Sequence, residues 1–490
     1  ADENTVETSE YVAEINGTGY ATLQAAIDAA KAGDTITLLK DITVDGEDKD
    51  TSRTVIDKPI TLDLNDKTIK SPDNMGNNGR NFVALYISAD VAINATTGGI
   101  NTGTNGAYAI NVMNGATLTI NGGNYYGGGT AVQVQKGTAN INGGTFACEP
   151  YSNPIYGYKF LINCIDSAYK NGTAKVSIKG GSFVNYDPSD SASENPIGNF
   201  CPSGYVAVKG GTENAPVWTV EDHRVAEVGN TGYSTLSAAV AAANNGDTVT
   251  LLTDTDEDIT IAQDKDITLD LNGKTLTNRT SDTITVALGA NLTIEGEGTV
   301  DNISHGKAAV YNNGSVTLNG GTYTRSKETG DVKVDKNSYY NNHGSMTINK
   351  DVTVEQSGNF SSLVANGYYD YEGVTSKGEK SQYIEGTNAA EPTLTIKGGT
   401  FSGGINTLKN DDGGNITING GTVTNYTQAA LQNHNVATIN GGTFTADSKY
   451  VIDDCGCNEA HDSGELMIFG GTFMGKLYVR SPYSKVTIMD

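Results

Sequence analysis

The chain has 490 residues, of which 60 are glycine and only 18% are charged, and its formal net charge is −25. This glycine content excludes a mostly helical protein, because each glycine inside a helix costs about 1 kcal/mol relative to alanine, and the lack of a strict glycine period excludes collagen. The negative charge argues against nucleic-acid and membrane-surface partners, but it is compatible with Ca²⁺ or cationic partners.

Length and the start of the chain indicate an exported protein with several modules. A chain this long exceeds one ordinary domain, so at least two modules are expected. No apolar run approaches the roughly 20 residues that span a bilayer, which predicts no membrane insertion. The polar start ADENTVETSE resembles a mature chain after removal of a signal peptide, and it predicts a secreted or cell-surface location.

The first predicted element is a short amphipathic helix. Leu23, Ile27 and Ala30 follow a four-and-three spacing, which places them on one apolar stripe. Gly33 is a typical stop signal, and the β-branched run after it predicts a strand. A helix that leads directly into strands is suited to cover an otherwise open apolar end.

The same opening recurs in the second half of the chain. GYATLQAAIDAAKAGDTITLL starts at Gly19 and GYSTLSAAVAAANNGDTVTLL starts at Gly232, with the second helix stripe beginning at Leu236. LDLNDKTI and LDLNGKTL repeat in the same order further along. We therefore predict two tandem units, 1–222 and 223–490.

A shorter repeat runs inside both units. Examples are TLTINGGNY from Thr117 and TLTIKGGTF from Thr393, and the Gly-Gly pairs at Gly398, Gly420 and Gly441 lie 22 and 21 residues apart. A period near 20 with short strands and glycine turns is typical of a β-solenoid. Alternating Ile and Phe would point inward, Thr and Asn outward, and the glycine pair permits positive φ at a corner. The sequence therefore predicts an all-β fold, a parallel β-helix in two copies.

The A-I-x-x-A-x-x-G-D-T-I opening followed by T-I-x-G-G coils resembles the pectin-lyase-like superfamily of right-handed parallel β-helices. The tandem copies are similar to uncharacterised surface proteins of gut Firmicutes. The resemblance covers nearly the whole chain and implies two right-handed β-helices, each with an N-terminal capping helix. It implies no single activity, because the superfamily includes lyases, hydrolases, esterases, tailspikes and adhesins. The polygalacturonase pattern of N-T-D, D-D and G-H-G is missing.

Longer insertions interrupt the repeat and are rich in tyrosine. Loops on a rigid scaffold are the usual place for recognition, and tyrosine suits stacking on sugars or contact with proteins. Tyrosines that line the stems of the loops are an equally consistent interpretation. The candidate binding residues are Tyr151, Tyr156, Tyr158, Tyr339, Tyr340, Tyr368, Tyr369 and Tyr371.

Alignment of the coils by their T-I strands predicts a column of stacked polar side chains. Stacked asparagines that bond along the axis are a structural device, and we expect that role here. The predicted column consists of Asn312, Asn342, Asn410, Asn433 and Asp454.

A neighbouring column concentrates ionisable groups toward the C-terminal end. These groups would lie on three consecutive coils, within about 10 Å of axial rise. Paired carboxylates beside a histidine could do acid–base work on a sugar or hold a cation such as Ca²⁺, and a solvated face with scattered charges is the alternative. The candidate catalytic residues are Lys409, Asp411, Asp412, His434, Asp453 and Asp454.

The five cysteines are an odd number, so they cannot all pair with one another. Cys148 and Cys164 could bridge neighbouring coils. A weak candidate for a metal loop consists of Cys455, Cys457, Glu459 and His461. Its C-x-C spacing differs from the C-x₂-C of zinc sites, and a disulfide is the alternative.

These patterns predict a non-catalytic, secreted or surface-attached protein that presents tyrosine-rich loops to a polysaccharide or a surface protein. The missing enzyme motifs favour this interpretation. A polysaccharide lyase or glycoside hydrolase working on the face from Lys409 to Asp454 is the second hypothesis, and a structural stalk is the third.

Overall fold

A computed structural model describes residues 10–44, 54–76, 82–303, 307–325, 342–358, 361–373, 382–447 and 449–489. The protein is nearly all β, with 48% of residues in strands and 4% in helices, and the predicted all-β class is confirmed. The chain divides into two compact units, one ending at His223 and the other starting at Arg224. Among the described residues, no helix is both long enough and apolar enough to cross a membrane.

In the described part of the first unit, two helices accompany nineteen strands. The helices are α1 (Leu23–Ala29) and α2 (Asp166–Lys170). Strands β1 to β19 span, in order, Ala13–Ile15, Thr18–Tyr20, Thr35–Leu38, Ile42–Thr43, Val55–Ile56, Ile60–Asp63, Thr68–Lys70, Val83–Ile87, Val91–Asn94, Gly99–Asn101, Tyr108–Val112, Ala116–Gly127, Val132–Val134, Gly137–Cys148, Ile162–Cys164, Ala174–Ile178, Ser182–Val184, Tyr205–Thr212 and Ala215–Asp222.

In the described part of the second unit, one helix, α3 (Leu236–Ala242), precedes most of the strands. Strands β20 to β48 span, in order, Ala226–Val228, Thr231–Tyr233, Thr248–Leu251, Thr255–Asp256, Ile259–Ile261, Asp266–Asp270, Thr275–Thr277, Ile284–Val286, Asn291–Glu295, Thr299–Asn302, Val310–Asn312, Ser315–Leu318, Thr322–Arg325, Ser345–Ile348, Thr353–Gln356, Val364–Asn366, Thr393–Ile396, Thr400–Gly403, Asn406–Asn410, Asn415–Ile418, Thr422–Asn425, Ala429–Asn433, Val436–Ile439, Thr443–Ala446, Tyr450–Asp454, Glu465–Ile468, Thr472–Met474, Leu477–Val479 and Lys485–Ile488.

Successive passes of the chain, here called coils, add strands to the same parallel sheets. In the second unit β36, β39, β42 and β45 are neighbours in one sheet, β37, β40, β43 and β46 in another, and β38, β41, β44 and β47 in a third. The register places Ile396 beside Ile418, Ile418 beside Ile439, and Ile439 beside Ile468. Identical positions of the repeat therefore stack directly on one another.

The first unit stacks in the same way but ends in an antiparallel hairpin. Strands β9, β12 and β14 are parallel neighbours, as are β8, β11, β13 and β15. Strands β18 and β19 then run antiparallel, and β19 pairs with β17. Trp218, near the predicted boundary, lies in this hairpin opposite Phe183. The segment that leads into the second unit is thus paired with the sheet of the first.

The core of each unit is built from the inward-facing half of each strand. Burial alternates along the strands, as in Asn415–Ile418, where Ile416 and Ile418 are buried. Stacked rings reinforce the register: Tyr125, Phe146 and Phe183 follow one another with centroids 5.0 Å apart. This distance matches the spacing of about 4.8 Å between neighbouring strands, so one aromatic ring per coil fills its layer.

The two predicted helices form and are capped alike. Thr22 accepts a hydrogen bond of 3.0 Å from the Ala25 N–H at the start of α1, and Thr235 caps α3 in the same way. Lys58 donates to carbonyls at the C-terminal end of α1, and Lys265 does so at the end of α3. The ammonium groups bind carbonyls of the last helical turn, where backbone donors become scarce.

The second glycine of the repeated pair makes the corner. Gly144 has a φ of +108°, and a Cβ on it would lie 2.9 Å from the Gly123 carbonyl oxygen of the preceding coil. A Cβ on the first glycine, Gly143, would meet its nearest atom at 3.6 Å, an ordinary contact. In this pair, therefore, only the second glycine excludes a side chain on both conformational and steric grounds.

We expect Gly144→Ala to lower the free energy of unfolding of the first unit by about 1–3 kcal/mol, because alanine is strained at positive φ. Gly143→Ala is the matched control, with an expected change within about 0.5 kcal/mol. Urea unfolding of the full chain, followed by fluorescence of Trp218, the single tryptophan, measures both values. Equal effects of the two substitutions would contradict the assignment of the corner.

Candidate functional site

A buried ladder of side chains runs through the second unit. Each amide nitrogen donates to the side-chain oxygen of the next member, at 2.7 to 2.9 Å. All members are fully buried. The structure thus confirms the predicted column and adds one residue to it. The ladder consists of Asn312, Asn342, Asn366, Asn410, Asn433 and Asp454.

All donors of the ladder point in one direction, so its last member needs only to accept. Asp454 fills this position and accepts from Asn433 at 2.8 Å. Burial raises the pKa of the Asp454 carboxyl, and the hydrogen bond from Asn433 opposes that rise. Asp454, a candidate for catalysis from the sequence, is therefore fully buried at the end of a structural array.

A cleft of about 500 Å³ lies beside this ladder. Asp411 and Asp412 directly follow β38, His434 directly follows β41, and β38 and β41 are neighbours in one sheet. The register of the sheet thus places three of the predicted residues together. The cleft is lined by Tyr369, Asp370, Tyr371, Glu372, Lys409, Asp411, Asp412, His434, Cys457, Glu459, Ala460, His461 and Asp462.

A glycine allows two loops to meet at the cleft. Gly367 has a φ of +103°, and a Cβ there would lie 2.7 Å from the Asp412 carbonyl oxygen. The backbones of Tyr368 and Asp412 exchange two hydrogen bonds, of 2.9 and 3.0 Å. This pairing brings the tyrosine-rich segment to the cleft and fixes the position of Asp412.

A second loop, residues 457–462, borders the same cleft. The His461 ring stacks on Tyr371 with centroids 3.7 Å apart, and His461 Nε2 lies 3.8 Å from Glu372 Oε1. Tyr383 stacks near Tyr371 as well, at 5.4 Å. Because rings pack against Tyr371 in this way, it serves as part of the wall, and Tyr369 is the tyrosine better placed to meet a ligand.

Charged groups converge at the base of the cleft. Donor atoms of Asp411, Asp412 and His434 all lie within 4.8 Å of one another. Lys409 Nζ lies 2.7 Å from Asp411 Oδ2 and 5.1 Å from the centroid of the Tyr369 ring. The side chains of this ion pair are 10% and 2% exposed, so water screens their attraction only weakly.

The carboxylates of the cleft shift the protonation of their neighbours. Burial raises the pKa of Asp412 to about 7, and the charges of Asp411 and Asp462 add to that effect. Burial alone would lower the pKa of His434, but the hydrogen bond to Asp462 and the charge of Asp411 outweigh it and raise the pKa. In both cases the neighbouring carboxylates favour the protonated form of the group.

Asp453, another catalytic candidate, is neutralised within the scaffold. It is fully buried, and its carboxylate accepts from Arg480 Nε at 2.8 Å and from Gln432 Nε2 at 3.1 Å. A second contact with the same guanidinium completes a bidentate pair. The predicted face thus separates into a cleft at Lys409, Asp411, Asp412 and His434 and two structural aspartates.

Tyr368 supports the cleft from below and is not available to a ligand. It is fully buried, and its hydroxyl donates to the Ala389 carbonyl. Its ring lies 4.5 Å from that of His343, whose Nδ1 lies 3.2 Å from the Tyr311 hydroxyl. Burial lowers the pKa of His343 to about 4, against the opposing effects of Asp411 and the Gly367 backbone.

The tyrosines of the first unit form a separate group. Tyr151 and Tyr156 are exposed and lie edge to face with centroids 6.4 Å apart, whereas Tyr158 packs partly buried against the core. Tyr156 also borders a cleft of about 660 Å³. Two further candidates, Tyr339 and Tyr340, lie outside the described residues.

The bridge considered for Cys148 and Cys164 does not form, and all five cysteines are free thiols. Cys148 ends β14 opposite Gly127, whereas Cys164 ends β15 opposite Val134 in a different sheet. Short spacing in sequence was misleading here, because the two strands belong to different faces of a coil.

The predicted metal loop joins the cleft only in part. Cys457, Glu459 and His461 line the cleft, but Cys455 does not, and its thiol donates to the Asp453 carbonyl at 3.6 Å. Within the described ranges, no group of three donors converges in this loop. The C-x-C disulfide considered as the alternative does not form either.

Sequence reasoning missed Asn366 in the ladder and Asp370 and Glu372 in the cleft. All three precede or lie within the tyrosine-rich insertion, where the T-I pattern used to align coils is interrupted. The Asn-Gly pair at 366–367 and the alternation of acids with tyrosines in YYDYEG were the available signals.

No family model matches this chain, and neither a curated protein nor a solved structure matches it.

Asn410→Ala is expected to lower the free energy of unfolding of the second unit by about 2–3 kcal/mol, because it leaves buried ladder groups without partners. Asn440→Ala is the control, since Asn440 donates to Asn419 on an exposed ladder, and its effect should stay within about 0.5 kcal/mol. Thermal unfolding of the full chain, followed by circular dichroism, compares the two. Equal losses would show that burial of the ladder contributes no stability.

His343 should make the second unit less stable in acid. Its pKa falls from 6.5 to about 4 on folding, so the unfolded chain binds the extra proton first, and stability is lost as pH falls from about 6.5 toward 4. The loss is on the order of 3 kcal/mol. Unfolding free energies of the wild type and His343→Phe, measured at several pH values, should differ in slope across this window. Parallel curves would contradict the assignment.

Proposed function

We propose that the chain consists of two tandem right-handed parallel β-helices, similar to those of the pectin-lyase-like superfamily and of surface proteins of gut Firmicutes. The supporting observations are the repeated addition of parallel strands to the same sheets and the matching capped helices near the start of both units. Right-handedness follows from the general rule for parallel crossover connections.

The function best supported is carbohydrate binding by a secreted or cell-surface protein, with the ligand held in the cleft of the second unit. The observation that carries this proposal is the cleft itself, a concave site of about 500 Å³ built by two insertions. Its volume lies in the range of about 300–1,000 Å³ found for sites of small ligands. A stalk would need no such cleft.

The lining chemistry favours a hydroxyl-rich ligand. Carboxylates accept hydrogen bonds from hydroxyl groups, and histidines can either accept from them or donate to them. Tyr369 offers an amphipathic ring on which the apolar face of a sugar can stack. Most charged groups in the cleft are acidic. This argues against polyanionic ligands, which include nucleic acids and polymers of uronic acids that bind without a bridging cation. A neutral or amino-bearing glycan fits this lining better than an acidic one.

A polysaccharide lyase is the second candidate, because Lys409 and His434 lie in the same cleft as six carboxylic side chains. The imidazole of His434 could accept a proton during elimination, and the ammonium of Lys409 could stabilise the negative charge that develops. A hydrolase fits less well: the donor atoms of Asp411 and Asp412 lie within 4.8 Å, closer than the carboxylate spacing of about 5–9.5 Å in glycosidases.

Binding is tested on an array of plant and mucin glycans, followed by calorimetry with the best ligand. Tyr369→Ala should weaken affinity at least about tenfold, because it removes the ring from the cleft. Tyr369→Phe keeps the ring and should bind within about threefold of the wild type, and Tyr156→Ala in the first unit should bind like the wild type.

Binding without product supports the proposal, whereas no binding to any glycan overturns it. Assays for reducing ends and for unsaturated sugars run in parallel with the calorimetry. Unsaturated product that disappears in His434→Gln or Lys409→Met would replace the binding function with the lyase.

A further inference from the structure

The base of the cleft has the spacing of a metal site. The donor atoms of Asp411, Asp412 and His434 lie within 4.8 Å of one another. Ligands that share one ion lie about 3–5 Å apart, because each bond is about 2.0–2.6 Å long. Asp411 is 1% exposed, and the other two are half-buried, so the donors are held by the fold instead of moving freely in solvent.

A fourth residue orients the histidine. His434 Nδ1 lies 3.6 Å from Asp462 Oδ1, and with Nδ1 directed to this carboxylate we assign Nε2 to the metal ion. Histidines that bind metals commonly direct their other nitrogen to a carboxylate, which fixes the ring and makes it a better ligand. The loop 457–462, which carries Asp462, thus supports the donor set from outside it.

Carboxyl groups outnumber cationic groups around the three donors. The charged groups that act on His434 and Asp412 are the carboxylates of Asp411, Asp412 and Asp462 and the ammonium of Lys409. Three carboxyl groups therefore face one ammonium group and one imidazole in a partly buried site. Lys409 does not block an ion, because an ionised carboxylate such as that of Asp411 has room for about four contacts.

We propose that Asp411, Asp412 and His434 bind one divalent first-row metal ion, such as Mn²⁺ or Zn²⁺, at the base of the cleft. Imidazole suits first-row metals, whereas Ca²⁺ takes six to eight oxygen ligands. Three protein ligands leave coordination positions open toward the cleft, where water or a ligand hydroxyl can enter. The charge of the ion would also favour the ionised forms of the two carboxyl groups, which burial disfavours.

The full-length chain is freed of metal with a chelator and titrated calorimetrically with MnCl₂, ZnCl₂ and CaCl₂ in the absence of glycan. One equivalent of Mn²⁺ or Zn²⁺ should bind, and Ca²⁺ should bind at least about tenfold more weakly. Asp412→Asn and His434→Gln should each reduce affinity at least about tenfold. Asp447→Asn, which removes an exposed carboxylate outside the cleft, should bind like the wild type.

The absorption spectrum of bound Co²⁺ provides a second readout. Coordination by carboxylates and imidazole gives no thiolate charge-transfer band, and Cys457→Ser should leave the spectrum unchanged. Circular dichroism of each metal-free variant checks that it is folded. No binding by the wild type, binding retained in both Asp412→Asn and His434→Gln, or a thiolate band would overturn the proposal. Because the titration contains no glycan, its outcome is independent of the carbohydrate test.

Discussion

Parallel backbone hydrogen bonds between successive coils hold each residue directly beside its counterpart one coil away. Ile418 therefore meets Ile396 on one side and Ile439 on the other, and the repeat needs the same residue type at each layer. The same register positions the glycine corners, where a Cβ at Gly421 would lie 3.0 Å from the carbonyl of the preceding corner. The strands, the corners and the core depend on this single constraint.

The register also explains how the protein can bury amides. An asparagine that meets an asparagine in every layer can both donate and accept, so each buried amide finds partners without reaching water. Every side-chain amide donates toward the same end of the ladder, so the last member has to accept a hydrogen bond and needs none to donate. Asp454 supplies this acceptor, and an aspartate among asparagines is therefore explained by hydrogen bonding and needs no catalytic role.

Features that repeat could be predicted from the sequence, and features that occur once could not. The helix at Leu236, the glycine corners and most of the ladder could be predicted from their spacing in the sequence. Residues one repeat apart occupy equivalent positions in neighbouring coils, so each spacing corresponds to one kind of contact. Asn366 was missed where an insertion interrupts the repeat. The grouping of Lys409, Asp411, Asp412 and His434 was predicted from alignment of coils, but the neutralisation of Asp453 by Arg480 depends on a side chain 27 residues away that no pattern indicates.

The site depends on irregularity within this regular scaffold. Asp411, Asp412 and His434 directly follow strands that fix their positions, but a stack of coils alone would leave them on a flat face. Two insertions turn that face into a cleft, and they hold each other through Tyr371 and His461. Gly367 makes the closure possible, since any side chain there would collide with the Asp412 carbonyl. The candidate site therefore lies where loops outside the repeat meet residues whose positions the repeat fixes. A change in either loop should alter the cleft but leave the register of the strands unchanged.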